Sequence, residues 1–211
     1  MLETYYLKMI DQNQHHNGKT VYILHANSEI KVWGLTGTER LQRALPKLGA
    51  GKIITDTANR PQGGEDIVFL RGDVAYDKPI LQGLLSSGNV VVTDKDGNRV
   101  GASAQRNNAG PALEWLREKD AGTPAGFREE TTDSVGGSYH AMLRKREAPY
   151  CIILKKEDLE RTEQQIFMGA YKGVTDIVTK YVWPVPAMIV TRWCIKFGLS
   201  QGASRPLKTC F

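Results

Sequence analysis

The sequence predicts a three-layer α/β domain over residues 1–155, built on a mostly parallel sheet. Three observations predict it: runs rich in β-branched and aromatic residues, amphipathic segments of about ten residues between them, and glycines or prolines at the boundaries. Strands that alternate with helices of this length form crossover units, whose helices cover both faces of the sheet. A helical segment is expected over 156–200, followed by an atypical polar tail over 201–211.

The first half of the domain carries clear boundary signals. Strands are predicted at 20–26, 51–57 and 65–73, each with several β-branched residues. A helix is predicted within 34–49, because Thr36 and Glu39 have the spacing of a capping box. Leu41, Ala44, Leu45 and Leu48 share one face of that helix, and Gly49 is expected to end it.

The second half continues the alternation. Asp77 as N-cap and Pro79 in the first turn predict a helix that closes at Gly88. Two strands are predicted within 89–104, on either side of a Lys-Asp-Gly-Asn turn. Further along the chain we expect a helix at 110–122, a loop rich in Gly and Thr at 122–137, and a strand followed by a helix within 148–172.

The net charge of +5 is concentrated near the end of the chain. Residues 1–170 hold 22 Lys and Arg against 22 Asp and Glu, whereas residues 171–211 hold six against one. A neutral body argues against broad nucleic-acid binding, which needs a basic face along the phosphates. A basic segment that contains tryptophan indicates an anionic membrane surface as the partner.

The cysteines and the apolar runs bear on the compartment. The three cysteines form neither a zinc pattern nor a disulfide framework, so a reducing compartment is expected. The first residues lack the layout of a signal peptide. The longest apolar run, over 182–190, is far shorter than the roughly 20 residues that span a bilayer, and two prolines interrupt it. We therefore expect a chain that lies on a membrane without crossing it.

The segment 175–199 predicts an amphipathic helix. Ile189, Trp193 and Phe197 recur every fourth residue, with Arg192 and Lys196 beside them. Such a helix can seat its rings among lipid headgroups while its cations meet anionic phosphates. The alternative is a helix that packs on the sheet or on a second copy of the chain.

Two patterns suggest ligand chemistry. Asp73 follows a hydrophobic strand and is expected at the carboxyl edge of the sheet, where open α/β sheets bind ligands. A carboxylate there can hold Mg²⁺ against the phosphates of a nucleotide; the alternative, which sequence logic alone favours, is that Asp73 caps a turn. The Gly-rich turn at 34–37, placed before a helix, could offer backbone N–H groups to phosphate, or could simply allow the chain to enter the helix.

Residues 166–200 resemble the segment before the first transmembrane helix of CDP-alcohol phosphatidyltransferases, in the branch with an extra N-terminal cytosolic domain. The matching residues are Lys172, Asp176, Lys180, Trp183-Pro184 and Thr191-Arg192. The body is similar to that extra domain, which itself resembles sugar-phosphate nucleotidyltransferases. The stretches that carry this similarity are VWGLTGTERLQRAL, DIVFLRGDVAYDKPILQGLL and VVVTDKDGNRVGASA.

The resemblance implies the N-terminal, cytosolic part of an enzyme of phospholipid or polyol-phosphate lipid biosynthesis, in which an alcohol displaces CMP from a CDP-linked lipid or polyol. It implies a position on the cytoplasmic face of the cell membrane. The D-x-x-D-G-x-x-A-R motif of the membrane part is absent from the sequence, so this chain is expected to lack that activity, and an ending before the catalytic helices is expected. The membrane-interface residues it implies are Lys180, Trp183, Arg192, Trp193, Lys196 and Phe197.

The nucleotidyltransferase-like part of the resemblance implies a nucleotide site for CTP or a CDP-alcohol, with Asp73 as the magnesium ligand. The nucleotide-binding residues are Gly34, Gly37, Thr38, Arg40 and Lys47. The family's Gly-rich loop after the first strand is replaced here by HANSEIKVWG, so binding is expected rather than catalysis. Two alternatives remain open: an active Mg-dependent nucleotidyltransferase that makes an NDP-sugar or CDP-polyol, and a homodimeric scaffold.

Overall fold

The structure, a computed structural model, describes residues 18–55, 65–118, 120–137, 149–169 and 184–198. The strands are β1 Thr20–Leu24, β2 Lys31–Val32, β3 Leu35–Thr36, β4 Ile53–Ile54, β5 Ile67–Arg71, β6 Val74–Tyr76, β7 Val90–Thr93, β8 Arg99–Ala104, β9 Arg128–Thr131 and β10 Cys151–Ile153. The helices are α1 Gly37–Ala44, α2 Lys78–Ser86, α3 Ala109–Arg117, α4 Thr132–Val135, α5 Leu159–Gly169 and α6 Pro184–Lys196.

Six strands form the main sheet in the order β4-β1-β5-β8-β7-β9. The β4–β1, β1–β5 and β7–β9 pairs are parallel, whereas β8 is antiparallel to both β5 and β7. Five strands therefore point the same way and one is reversed. The predicted α/β class with a mostly parallel sheet is confirmed.

Side-chain alternation along the strands builds a core on each face of the sheet. In β1, Val21 and Ile23 pack with side chains of α1 and α2. Tyr22 and Leu24 point the other way and pack with side chains of α3. Successive strand residues face opposite sides of a sheet. A strand that is buried on both faces therefore has a nearly continuous run of apolar residues in its sequence.

Helix α1 begins at the capping box and its 3₁₀ extension ends at Gly49, as the sequence predicted. Thr36 Oγ1 accepts from the Glu39 backbone N–H at 3.1 Å, and Glu39 Oε2 accepts from the Thr36 N–H at 2.8 Å. This reciprocal pair is the capping box. A 3₁₀ turn over Leu45–Leu48 extends the helix, and Gly49, with φ of 77°, ends it. Asp77 likewise caps α2 by accepting from the Lys78 N–H at 2.9 Å.

Four strands and one short helix were not predicted from the sequence. The hairpin of β2 and β3 and the strand β6 are two or three residues long, too short to show a period. The predicted loop over 122–137 contains β9 and α4. Strand β9 reads REET, with no apolar alternation, and pairs with β7 at the sheet margin. Tertiary pairing rather than propensity makes it a strand.

Helices α5 and α6 pack on the body around a third apolar cluster. Its buried members are Val32, Trp33, Ala75 and Leu154, against which Ile166, Phe167, Met188 and Ile195 pack. A second small sheet, in which β10 pairs antiparallel with β6, supports this cluster. Among the described residues, no helix combines the length and apolarity that crossing a bilayer requires.

Candidate functional site

A cleft opens at the carboxyl ends of β1, β4 and β5. Its volume is about 540 Å³, and its lining includes His25, Asn27, Thr55 and Asp73. The location follows from the topology, because strands that run parallel end at the same edge of the sheet. Asp73 therefore lies where the sequence predicted it.

Asp73 forms an ion pair with Arg71. Its Oδ1 accepts from Arg71 Nε at 2.9 Å and its Oδ2 from Arg71 Nη2 at 2.6 Å, which makes a bidentate ion pair. The same guanidinium also donates to the carbonyl of Arg99 at 3.1 Å. The hydrogen bond to Asp73 raises the pKa of Arg71. The carboxylate therefore has its negative charge balanced within the protein.

This donor set does not fit Mg²⁺ as it stands. Within the described ranges, no group of three His, Cys, Asp or Glu side chains converges on one point. Mg²⁺ needs a carboxylate whose charge is available, because the ion dehydrates reluctantly, and Arg71 already occupies both oxygens of Asp73. The magnesium site at Asp73 stays a prediction, and no chemical step is derived through it.

Three of the predicted nucleotide-binding residues serve packing. Gly34, with φ of 75°, lies in the turn of the β2–β3 hairpin, where an added Cβ would lie 3.3 Å from Cγ2 of Ile195 in α6. Gly37 is buried against the carbonyl of Gly72. Thr38 is buried too and donates its hydroxyl to the Ala26 carbonyl at 3.1 Å. Gly37 and Thr38 bring α1 close to the ends of β1 and β5, whereas Gly34 lies against α6.

The expected phosphate cradle at the start of α1 is not formed. The capping box occupies the Glu39 N–H with the Thr36 hydroxyl, and the Glu39 carboxylate places a negative charge in the first turn. An anion would meet fewer free N–H groups and a like charge at this helix end. The Gly-rich turn therefore serves as an entry into a self-capped helix.

Arg40 and Lys47, the other two predicted nucleotide-binding residues, line a separate cleft. It lies between α1 and α2, has a volume of about 420 Å³, and is also lined by Arg43 and Lys78. Sequence analysis missed Arg43 and Lys78. The helical spacing of Arg40, Arg43 and Lys47 was visible in the sequence, but the packing of α2 beside α1 was not.

Helix α6 presents an apolar stripe to the outside. Val185, Ile189, Trp193 and Phe197 are between 53% and 65% exposed and follow one another every fourth residue. The Trp193 and Phe197 rings contact edge to face with centroids 4.6 Å apart, and Lys196 is exposed beside them. Four large apolar side chains in one row on a surface indicate an interaction site.

The opposite side of α6 anchors the helix to the body. Thr191 and Cys194 are buried, and Met188 packs in the third apolar cluster. Arg192 forms ion pairs with Glu160 at 3.0 Å and Glu163 at 3.3 Å on α5, and its guanidinium lies 5.7 Å from the Trp33 ring.

Arg192 was predicted at the membrane interface. In the structure its guanidinium reaches Glu160 and Glu163 on α5 and lies near the Trp33 ring, so its charge is directed to the body. Its two glutamate partners already supply negative charge. Trp193, Lys196 and Phe197 lie on the outward side, and Lys180 and Trp183 lie outside the described residues.

The β6–β10 ribbon carries groups that stay protonated. Burial, with a smaller contribution from Asp94, raises the pKa of the Cys151 thiol to about 12. Burial also raises the pKa of Tyr150 to about 12 and places that of Tyr76 well above its ordinary value. A thiol held neutral is a poor nucleophile.

Cys151 should make the protein sensitive to alkali. Its ordinary pKa is 9.0 and its folded value is about 12, so between these pH values the folded state holds the proton that the unfolded state has lost. The free energy of unfolding should then fall by about 1.4 kcal/mol per pH unit above pH 9. Urea unfolding of wild type and Cys151→Ala between pH 7 and 10.5 measures this. The thiolate also raises the pKa of Tyr76, so the variant removes both effects, which have the same sign. Parallel stability curves over this range would contradict the assignment.

Comparison with known proteins returned no matching family model and no matching curated protein.

Proposed function

We propose that this chain is a membrane-docking module in which a nucleotidyltransferase-like α/β body carries α6 to an anionic lipid surface. In this proposal it corresponds to the N-terminal, cytosolic part of a CDP-alcohol phosphatidyltransferase, on the cytoplasmic face of the cell membrane. The chain itself performs no phosphotransfer, since the D-x-x-D-G-x-x-A-R motif does not occur in its sequence.

The observation that carries the proposal is the two-sided burial of α6. Its inner side is fixed by Thr191, Cys194 and the ion pairs of Arg192. Its outer side leaves Trp193 65% and Phe197 63% exposed in the same row as two aliphatic side chains. A helix that is already anchored needs no outward aromatic pair for its own stability, so the stripe is available for a second surface.

Charge favours a lipid surface as the occupant over a second copy of the chain. Residues 171–211 carry six Lys and Arg against one acidic residue, so this part of the sequence suits an anionic partner better than a second copy with the same charge. An anionic bilayer would instead gain about 1 kcal/mol per nearby cation. Trp and Phe suit the headgroup region, because their rings are apolar and the indole N–H can still reach water.

The test is the quenching of tryptophan fluorescence by lipids brominated on the acyl chain. Trp33 and Trp115 are buried in the body at 6% and 2% exposure. With Trp183 replaced by phenylalanine in both proteins, the difference between the parent, called wild type here, and Trp193→Phe isolates Trp193. We expect brominated vesicles that contain phosphatidylglycerol to quench the wild type and to quench Trp193→Phe much less. Equal quenching of the two proteins would leave Trp193 in water and overturn the proposal.

The alternative of an active nucleotidyltransferase has less support. Such an enzyme must stabilise charge on the α-phosphate and on the leaving pyrophosphate. The described residues offer a self-capped helix end in place of a cradle and an aspartate neutralised by Arg71.

A further inference from the structure

The cleft between α1 and α2 has the form of a small-molecule site. Its floor is apolar and includes Leu41, Leu48 and Leu81, which belong to the core under the two helices. Its volume of about 420 Å³ lies within the range of ligand pockets. It lies on a face of the sheet, whereas the cleft that contains Asp73 lies at the carboxyl edge.

Four cationic side chains line this cleft: Arg40, Arg43, Lys47 and Lys78. The ion pairs among the described residues are Arg71–Asp73, Arg128–Glu130 and those of Arg192, so none involves these four. Asp77 is the one acidic residue of the lining and serves as the N-cap of α2. In a body whose charges otherwise balance, such a cluster concentrates positive potential at one place.

Arg40 carries a buried donor group that the protein leaves without a partner. Its guanidinium donates to the carbonyl of Val32, but its Nε is buried without a hydrogen-bond partner. Burial lowers the pKa of Arg40 more than the negative charges of Tyr150 and Glu163 raise it, and Arg43 lowers it further. Partly buried charge is unfavourable until an opposite charge comes near.

We infer that this cleft binds the phosphate group of a phosphate ester. Arg43, Lys47 and Lys78 are exposed at its rim and contact the phosphate oxygens, Arg40 supplies charge from beneath, and the leucine floor contacts the organic part of the ester. Phosphate is favoured over carboxylate because four cations against one aspartate match a dianion, and because Arg and Lys are strong phosphate donors.

The ester can be soluble or part of a lipid headgroup, and the experiment separates these sources. The full chain is titrated by calorimetry at low salt with glycerol 3-phosphate and with CTP, and by flotation with vesicles that contain phosphatidic acid. The test variant is Arg43→Gln with Lys47→Gln. Both side chains are exposed, so folding is retained. The matched control is Lys95→Gln with Lys155→Gln, two exposed lysines that line a different cleft of about 730 Å³.

We expect the test variant to weaken binding at least about tenfold and the control pair to change it less than about twofold. A response to a soluble ester identifies a soluble source. Vesicle binding that the test variant loses and the control pair keeps identifies a headgroup; both outcomes support the inference. No binding of any probe, or an equal loss in both variants, overturns it. Replacing Trp193 and Phe197 by serine should leave binding of a soluble ester unchanged. The test of ester binding is therefore independent of the proposed docking of α6 on a membrane.

Discussion

Gly37→Ala is expected to destabilise the protein by about 3 kcal/mol, a large share of a domain's stability. A Cβ at Gly37 would lie 2.2 Å from the carbonyl oxygen of Gly72 and 3.2 Å from that of Val74. Both contacts are backbone atoms at the end of β5 and the start of β6, so they cannot rotate away. The better helix propensity of alanine offsets only about 1 kcal/mol of this cost.

Gly110→Ala is the matched control for this prediction. Gly110 lies in α3, has no positive φ, and has no atom within 4 Å of an added Cβ. Its replacement should leave stability unchanged or raise it by up to about 1 kcal/mol. Urea unfolding followed by circular dichroism measures both variants. If Gly37→Ala were as stable as Gly110→Ala, the close contact between α1 and the β5–β6 turn would be wrong.

Features set by nearby residues could be predicted from the sequence. The capping box of Thr36 and Glu39 needs two residues three positions apart, and both hydrogen bonds are present. The N-cap at Asp77 and the turn between β7 and β8 are equally local. The outward row on α6 was visible as four-residue spacing, because a helix brings such residues onto one face.

Features set by distant residues could not be predicted. Gly37 serves packing because Gly72, 35 positions further along the chain, lies against it. Arg192 points inward because α5 supplies Glu160 and Glu163. The cationic cleft depends on α2 lying beside α1. In each case the sequence gives the residue type, and its partner is fixed only when the elements pack.

Trp193→Ser combined with Phe197→Ser is expected to weaken binding to anionic vesicles about 100-fold. Each ring is worth about 1.5–3 kcal/mol when it moves from water to an apolar environment, and part of that gain is already made in their mutual contact. A net loss near 3 kcal/mol corresponds to about two powers of ten. Since both rings are more than 60% exposed, folding stability should change by no more than about 0.5 kcal/mol.

The exchange variant, Trp193→Phe with Phe197→Trp, is the matched control, because it keeps the ring area and the positions on α6. It should bind vesicles within about threefold of the wild type, since hydrophobic transfer depends on area rather than on order. Sedimentation without lipid provides a second readout. A stripe buried against a second copy of the chain would give a concentration-dependent dimer that the serine variant abolishes.

Flotation of the full chain with phosphatidylglycerol vesicles at low salt, wild type beside the serine and exchange variants, tests the docking role of α6 most directly. The account predicts that the wild type and the exchange variant rise with the vesicles while the serine variant stays at the bottom. A serine variant that floats like the wild type, or a wild type that does not float, would contradict it.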